Sequence, residues 1–469
     1  MLHLARALAA RGVAAITVVV PDFIHRRVGR AGGDGVALAS IPSGIADDDG
    51  GDTTPGFASI VHAMEHRMPA HLDHVLMRDD DLEGRRAACL IVDVLASWAV
   101  PVAARCGVTA VGFWPAMLAS YCVVAAIPEL IDKGFVSEYG IPILANGFNK
   151  DQSQVNANSR AEIISLFPAE LELSTTDLPW LVGDAATQKS RFDFWLRTME
   201  RAKTLRCILV NSFPGEATAG VPDQQQPLQD PQVLPVGPLL ATVTDRPYWR
   251  LHVSPLKKNT SMWQADRACM DWLDQQRPGS VTYVSFGTWV APIAPAEITE
   301  LALGLEATGR PFLWVLKDDP SWRAGLPSGY TESGAAAAGR GKIVAWAPQE
   351  DVLAHDAVGC YLTHCGWNST LEAIRHGVRL LCYPVSGDQF INCAYIVKVW
   401  EIGIRLRSSN RGEVEDCVGR IMEGGDGRRL QEKVNELRER VMADEARCIA
   451  KRNIEAFIDG IMGQRSGKL

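Results

Sequence analysis

The residues able to do chemistry are concentrated between Trp346 and Gln389, in the stretch WAPQEDVLAHDAVGCYLTHCGWNSTLEAIRHGVRLLCYPVSGDQ. Trp346 offers a flat apolar face and one donor, which suits stacking under a base. Gln349 carries an amide that both donates to and accepts from a base edge or a ribose. Residues 359–363 (GCYLT) read as a short buried strand, HCGWNS as a turn, and TLEAIRHG as a helix. A strand, a Gly-containing turn and a helix N-terminus make an anion site, because free backbone N–H groups and the positive end of the helix dipole point at whatever sits above them. His364, Asn368 and Ser369 add side-chain donors there, and a diphosphate fits. Glu372 lies one helical turn in, where a carboxylate accepts two ribose hydroxyls. Asp388 and Gln389 follow the next strand, Arg379 to Tyr383. An acceptor-only carboxylate beside an amide reads several sugar hydroxyls.

Each of these residues has a plainer use. Ser369-x-x-Glu372 matches a helix capping box. Trp346 and Trp367 suit a core, and His364 suits a satisfied buried histidine. Taken singly, each plainer use is the stronger reading. Taken together at this spacing, the nucleotide-sugar reading prevails.

The elements that must position this stretch form a βαβ pattern. A helix near Ala268–Gln275 leads into a strand, Val281–Phe286. The turn after that strand, at Gly287-Thr288, suits a second contact with the diphosphate, with Thr288 as the candidate. The helix Pro295–Thr308 and the strand Phe312–Leu316 continue the alternation. Pro320–Gly341 reads as a loop, and its GAAAAGRG run lacks the Gly-Lys-Ser/Thr ending of a phosphate-binding loop. After the donor stretch come helices at Asp388–Trp400, Glu413–Met422 and Gly427–Glu445, then a final helix at Arg447–Met462. Further upstream, Ala88–Val92 is a buried strand with Asp93 at its C-terminal end, where α/β folds place functional groups. Asp93 equally suits an N-cap for the next helix. Cys207–Asn211 is the last strand expected of the first half, and Val221–Pro255, rich in Pro and Gln, reads as linker. A single helix is expected over Gly56–Arg78, its histidines on a solvated face.

The stretch resembles, almost residue for residue, the signature box of plant family 1 UDP-glycosyltransferases. The resemblance extends over nearly the whole chain, through VSFGT (284–288), PFLWV (311–315) and VNSF (210–213). It implies that Trp346 and Gln349 hold uracil, with Ala347 beside them. It implies that His364, Gly366, Asn368 and Ser369 hold the diphosphate and Glu372 the ribose. Trp367, Asp388 and Gln389 are implied to contact the sugar, and Gln389 matches the glucose-preferring form. Two positions depart from the family. Arg379 stands where Pro is usual, at a strand entry where little effect is expected. Val385-Ser386-Gly387 replaces a more aromatic stretch beside the sugar.

The implied fold class is α/β, two Rossmann-like domains facing a cleft in the GT-B arrangement. The expected divisions are residues 1–239 for the acceptor, 240–445 for the UDP-sugar, and 446–469 as a helix packing back on the first domain. The chain opens with a helix, LHLARALAARG, where an open parallel domain normally opens with a strand. Relatives carry a strand, a Gly-His loop and a Pro-Met before this helix, and Met1 stands at that Met. The first domain is therefore expected to be missing its first strand and the histidine used as catalytic base. Asp93 matches the acid that orients that histidine, and is expected to be left without a partner.

Composition narrows the classes. A chain of 469 residues exceeds one core. A net charge of −8 with no basic stripe argues against nucleic acid. Eleven Cys without a CxxC pair form neither a disulfide framework nor a zinc site, and favour a reducing compartment such as the cytoplasm. The uncharged window Cys106–Pro128 contains Gly107, Gly112 and Pro115, and reads as strand, turn and helix rather than a membrane span. The expected activity is inverting transfer of glucose from UDP-glucose, a co-substrate, to a hydroxyl of a small lipophilic acceptor. The protein is expected to act as a monomer without metal or other cofactor. The alternative is a nucleotide-sugar-binding protein that catalyses weakly, because the base is absent.

Overall fold

The computed structural model describes residues 1–13, 15–28, 35–45, 55–77, 87–143, 163–164, 173–213, 215–216, 231–240, 267–287, 293–330 and 339–466. Thr288 lies outside the described residues.

The chain opens with α1 (Leu2–Ala9) and β1 (Ile16–Pro21), then β2 (Val36–Ile41). The helix expected over 56–78 is two helices, α2 (Phe57–His66) and α3 (Met68–Met77), broken at Arg67. Pro69 has no N–H to continue an α-helical ladder, so the first helix ends before it. Then come β3 (Cys89–Asp93), β4 (Thr109–Trp114), α4 (Leu118–Ala125) and β5 (Cys207–Val210). A further strand, β6 (Gln232–Pro235), lies inside the segment read as linker and pairs in parallel with β5. The first half thus holds two parallel sheets, β1-β2 and β3-β4-β5-β6.

The second half is one six-stranded parallel sheet. Its strands are β7 (Val281–Ser285), β8 (Phe312–Val315), β9 (Gly341–Val344), β10 (Val358–Thr363), β11 (Arg379–Cys382) and β12 (Gly403–Arg405). Their spatial order is β9-β8-β7-β10-β11-β12. This is the doubly wound order, whose reversal between β7 and β10 opens a crevice at the strands' C-terminal ends. All residues of β7 and β10 are buried, as strands covered by helices on both faces must be. The strand β12 was not anticipated. It is three residues long at the sheet edge, too short for any alternation to register.

The helices α5 (Trp367–His376), α6 (Gln389–Ala394), α7 (Arg411–Met422), α8 (Gly424–Met442) and α9 (Asp444–Ser466) follow. α5 ends on Gly377, whose φ of +67° only glycine adopts cheaply. In α9, Ile454 and Phe457 pack with Leu4, Leu8, Val111 and Phe113 of the first half, and Asn453 Nδ2 donates to the Pro235 carbonyl at 2.7 Å.

Arg379 does more than the strand-entry reading suggests. Its Nε and Nη2 donate to the Gly359 carbonyl at 3.0 and 2.8 Å. Its Nη1 donates to the carbonyls of Ile421 and Gly427 at 2.8 and 3.2 Å. One side chain therefore ties β10 to the end of α7 and the start of α8, and at Ile421 it satisfies a carbonyl that the helix end leaves open.

Candidate functional site

The site forms at the β7/β10 switch point. Gly287 lies in the turn after β7 and His364 in the turn after β10, and the two turns face each other there. α5 begins with Gly366 as N-cap, and among the described residues no side chain closes that end. Its first-turn N–H groups are left for another partner. The capping-box alternative for Ser369 and Glu372 does not hold, because Ser369 sits at the third helical position rather than at the cap.

His364 is 7% exposed, and its Nδ1 has no hydrogen-bond partner. Burial lowers its pKa to about 4, against the opposing effect of the Ser285 backbone, so the ring is neutral near pH 7. Two glycines make room for it. A Cβ at Gly287 would lie 2.6 Å from His364 Nε2, and one at Gly366 would overlap the same atom. Gly287 also has a φ of +77°. Asn368 is exposed on the first turn of α5.

Gln349 is held from both sides. Its Oε1 accepts from the hydroxyls of Tyr283 and Tyr361, each at 3.1 Å. Its Nε2 donates to Ser369 Oγ at 3.0 Å and to Glu372 Oε2 at 2.6 Å. The amide orientation is thereby fixed, and Gln349 positions Ser369 and Glu372. Burial raises the Glu372 pKa to about 7, with the Gln349 hydrogen bond working against it. Tyr283 and Tyr361 face each other in register on adjacent strands. No residue pattern signals this pair, because strand order decides it. Trp346 is half-buried and Ala347 is buried beside it.

Asp388 and Gln389 open α6. Gln389 Oε1 accepts from the backbone N–H groups of Val385 and Ser386, both at 2.9 Å. It folds the Val385-Ser386-Gly387 departure into a turn, with Gly387 at φ +66°. Asp388 Oδ2 accepts from Asn392 Nδ2 at 3.0 Å, and burial raises the pKa of its carboxyl. Asn392 was not singled out from the sequence. Its i+4 spacing from Asp388 on a helix was the available signal.

Trp367 lies at the boundary between the halves. Its Nε1 donates to the Asn211 carbonyl at 2.6 Å, and its ring stacks on Phe213 at 6.2 Å between centroids. Trp400 Nε1 donates to the Glu216 carbonyl at 3.2 Å, and Arg405 pairs with Asp177 at 3.3 Å. These contacts set the first half beside the donor crevice.

Asp93 is not left without a partner. It accepts from the Leu95 N–H at 3.0 Å and caps a 3-10 turn, Val94–Ala96. Burial raises its pKa, while that hydrogen bond and the nearby Met1 α-amine act the other way. Among the described residues, no helix is long and apolar enough to cross a membrane.

Comparison with known proteins fits this geometry. Residues 266–424 match the family described as UDP-glucoronosyl and UDP-glucosyl transferase. UDP-glycosyltransferase 82A1 of Arabidopsis thaliana is 42% identical, over 97% of this chain and 93% of that protein. UDP-glycosyltransferase 83A1 of the same plant is 32% identical, over 99% and 94%. Among solved structures, a Polygonum tinctorium UDP-glucosyltransferase capable of glucosylating indoxyl, in complex with 3,4-dichloroaniline, superposes with a TM-score of 0.74. It is 25% identical, over 98% of this chain and 95% of that one. Phytolacca americana UGT2, at 23% identity over 97% and 94%, shares the fold with a TM-score of 0.74. With the donor-type crevice at the switch point and relatives matched along almost its whole length, this chain belongs to the plant UDP-glycosyltransferase family and is a glycosyltransferase of the GT-B fold.

Proposed function

We propose that the donor is UDP-glucose and that its glucose passes, with inversion, to a hydroxyl of a small lipophilic acceptor. One observation carries the donor reading. His364 is buried with an unpartnered Nδ1, wedged between two glycines at a helix N-terminus that no side chain caps. A buried polar atom without a partner is costly, and a diphosphate above α5 supplies one. In this reading Trp346 stacks on uracil beside Ala347, and Glu372, held by Gln349, accepts the ribose hydroxyls. Gly366, Asn368, Ser369 and His364 carry the diphosphate, joined by Thr288. Asp388 and Gln389 read the sugar from the mouth of α6, with Trp367 behind them.

Charge on departing UDP is held by the α5 N–H groups, a preorganised arrangement that stabilises a leaving group without a metal. Asp93, at the C-terminal end of β3, marks the acceptor side as the acid of the pair that deprotonates the acceptor. Support for glucose comes from Gln389 and from the glucosyltransferases among the structural relatives. Eleven unpaired cysteines favour a reducing compartment, the cytoplasm, and the protein acts there as a monomer.

Calorimetry with UDP and UDP-glucose on the Trp346→Ala and His364→Ala variants tests the donor site. Each is expected to weaken binding by about tenfold or more, the equivalent of ~1.4 kcal/mol. Unchanged affinity in both removes the assignment. Gln389→His is expected to move donor use from UDP-glucose towards UDP-galactose in a competition assay, and an unchanged ratio would overturn the sugar reading.

A further inference from the structure

Beneath the donor loop, three thiols that the proposed reaction does not use converge. Cys365 follows His364 in the turn, Cys382 ends β11 and Cys393 lies in α6. All three are buried, and their sulfurs lie within 4.8 Å of one another. Cys365 and Cys393 belong to the turn and the helix that carry His364 and Gln389, and Cys382 ends the strand between them. Cys365 is also firmly held. Its φ is +65°, unusual for a residue with a side chain, and its N–H donates to Thr363 Oγ1 at 3.2 Å. Its carbonyl accepts from Asn392 Nδ2 at 2.9 Å, and the same amide donates to Asp388. A shift of Cys365 therefore reaches Asp388 through one side chain.

We propose that Cys365, Cys382 and Cys393 form a binding site for one three-coordinate thiophilic centre of the trivalent arsenic class, and that its occupation weakens donor binding. Three sulfur ligands select a soft centre. Zinc wants four ligands, and among the described residues no His, Asp, Glu or further Cys joins this group. Monovalent copper on three thiolates leaves net negative charge in a buried pocket, which is costly. Arsenite avoids both difficulties. Three As–S bonds form as three As–O bonds break, the thiol protons leave with the hydroxides as three waters, and arsenic stays trivalent. The product is neutral. Once formed, the centre joins the donor turn, β11 and α6 through a single atom, so the turn can no longer adjust to a diphosphate.

The binding half of this inference stands on the thiols alone. Only the coupling half rests on placing the diphosphate at the Cys365 turn. The test uses the full chain, reduced and then treated with sodium arsenite. Native mass spectrometry is expected to show one arsenic replacing three protons. Cys382→Ala and Cys393→Ala, made separately, are each expected to give the hydroxide-retaining two-thiol form. Their arsenic affinity is expected to fall by at least the roughly 10–100-fold that outer-shell changes cost a metal site. UDP calorimetry on the loaded wild-type protein is expected to show affinity reduced about tenfold or more, with UDP weakening arsenite by the same factor. A two-thiol mass in the wild type, or arsenic binding unchanged in both variants, overturns the site. Unchanged UDP affinity in protein carrying the three-thiol mass overturns the coupling. If untreated protein fails to bind UDP, the donor assignment is what fails, and the mass measurement still decides the site.

Discussion

Helical segments begin just beyond the C-terminal ends of β3, β4 and β10, and they differ in what fills their N-termini. After β3, Asp93 caps its own 3-10 turn through the Leu95 N–H. After β4, Glu216 reaches across to accept from the N–H groups of Leu118 and Ala119 at the start of α4, at 3.2 and 3.0 Å. Both junctions of the first half are thus sealed by the chain's own carboxylates. After β10 the cap is Gly366, and no side chain closes α5. The same backbone geometry repels an anion where an acid already sits and attracts one where glycine leaves the dipole open. Fold alone does not make an anion site; the cap residue does.

The contrast is broken most directly by sealing the open junction. Ser369→Asp places a carboxylate in the first turn of α5, facing the diphosphate position. Like-charge juxtaposition costs several kcal/mol, so UDP affinity is expected to fall by about 100-fold or more. Asp93→Ala, which opens the β3 junction instead, is expected to leave UDP affinity within about twofold. Calorimetry on both variants reads the comparison, and equal losses would end it.

Bracing of the open junction is the next target. Arg379→Ala strips donors from the carbonyls of Gly359, Ile421 and Gly427. Hydrogen bonds to a charged group are worth about 1.5–3 kcal/mol each, so a total loss of ~3 kcal/mol or more is expected in chemical denaturation. A loss within ±0.5 kcal/mol, the scale of ordinary surface changes, would show the brace to be idle.

The sealed junction at α4 predicts a pH effect. Burial raises the Glu216 pKa to about 7, against hydrogen bonds from Ser212, Ala119 and Leu118. The folded state therefore holds its proton more tightly than the unfolded state. The stability this gives is complete below pH ~4.5 and is lost as pH rises through about 7. At ~1.36 kcal/mol per pKa unit the window spans roughly 3 kcal/mol. Glu216→Gln is expected to flatten the melting-temperature profile over that range, and a profile matching the wild type would count against the burial argument.

The smallest effect belongs to Glu372 on the open side. Its pKa is also raised to about 7 by burial, and only the carboxylate accepts both ribose hydroxyls. UDP affinity is expected to weaken about tenfold as pH falls from ~8 to ~6, since protonation removes the acceptor. Glu372→Gln cannot titrate, so the difference between the two pH profiles isolates this group from UDP's own ionisation. Parallel profiles would take Glu372 out of ribose recognition.

Much of the donor half was legible because its signals are local. β10, the turn after it, α5 and the Gly377 stop follow one another within a few residues, although α5 begins at Trp367, inside the stretch HCGWNS read as turn. The first half was less legible, and its errors have physical causes. β6 is an edge strand of four residues, fixed by its neighbour rather than by pattern, and the donor half has the same failing at β12, an edge strand of three. The helix break at Arg67 was signalled by Pro69 and was passed over. Asp93 was expected to lack its histidine partner, and the structure adds that it takes the N-cap role the sequence also offered, accepting from the Leu95 N–H two residues on.

The sequence by itself determined which residues are proposed to carry donor chemistry and in what order they stand, since a nucleotide-sugar box is a run of neighbours. Only the tertiary structure decided what those residues do for one another. Tyr283 and Tyr361 lie far apart in the chain and meet across Gln349 because β7 and β10 adjoin at the switch point. Trp367, within the box, spends its N–H on Asn211 of the other half. Arg379 braces three carbonyls, and Cys365, Cys382 and Cys393 come together although a separate element holds each. Hydrogen-bond and packing partners are set by distance in space, and parallel strands joined by helical crossovers bring together residues that no local period relates.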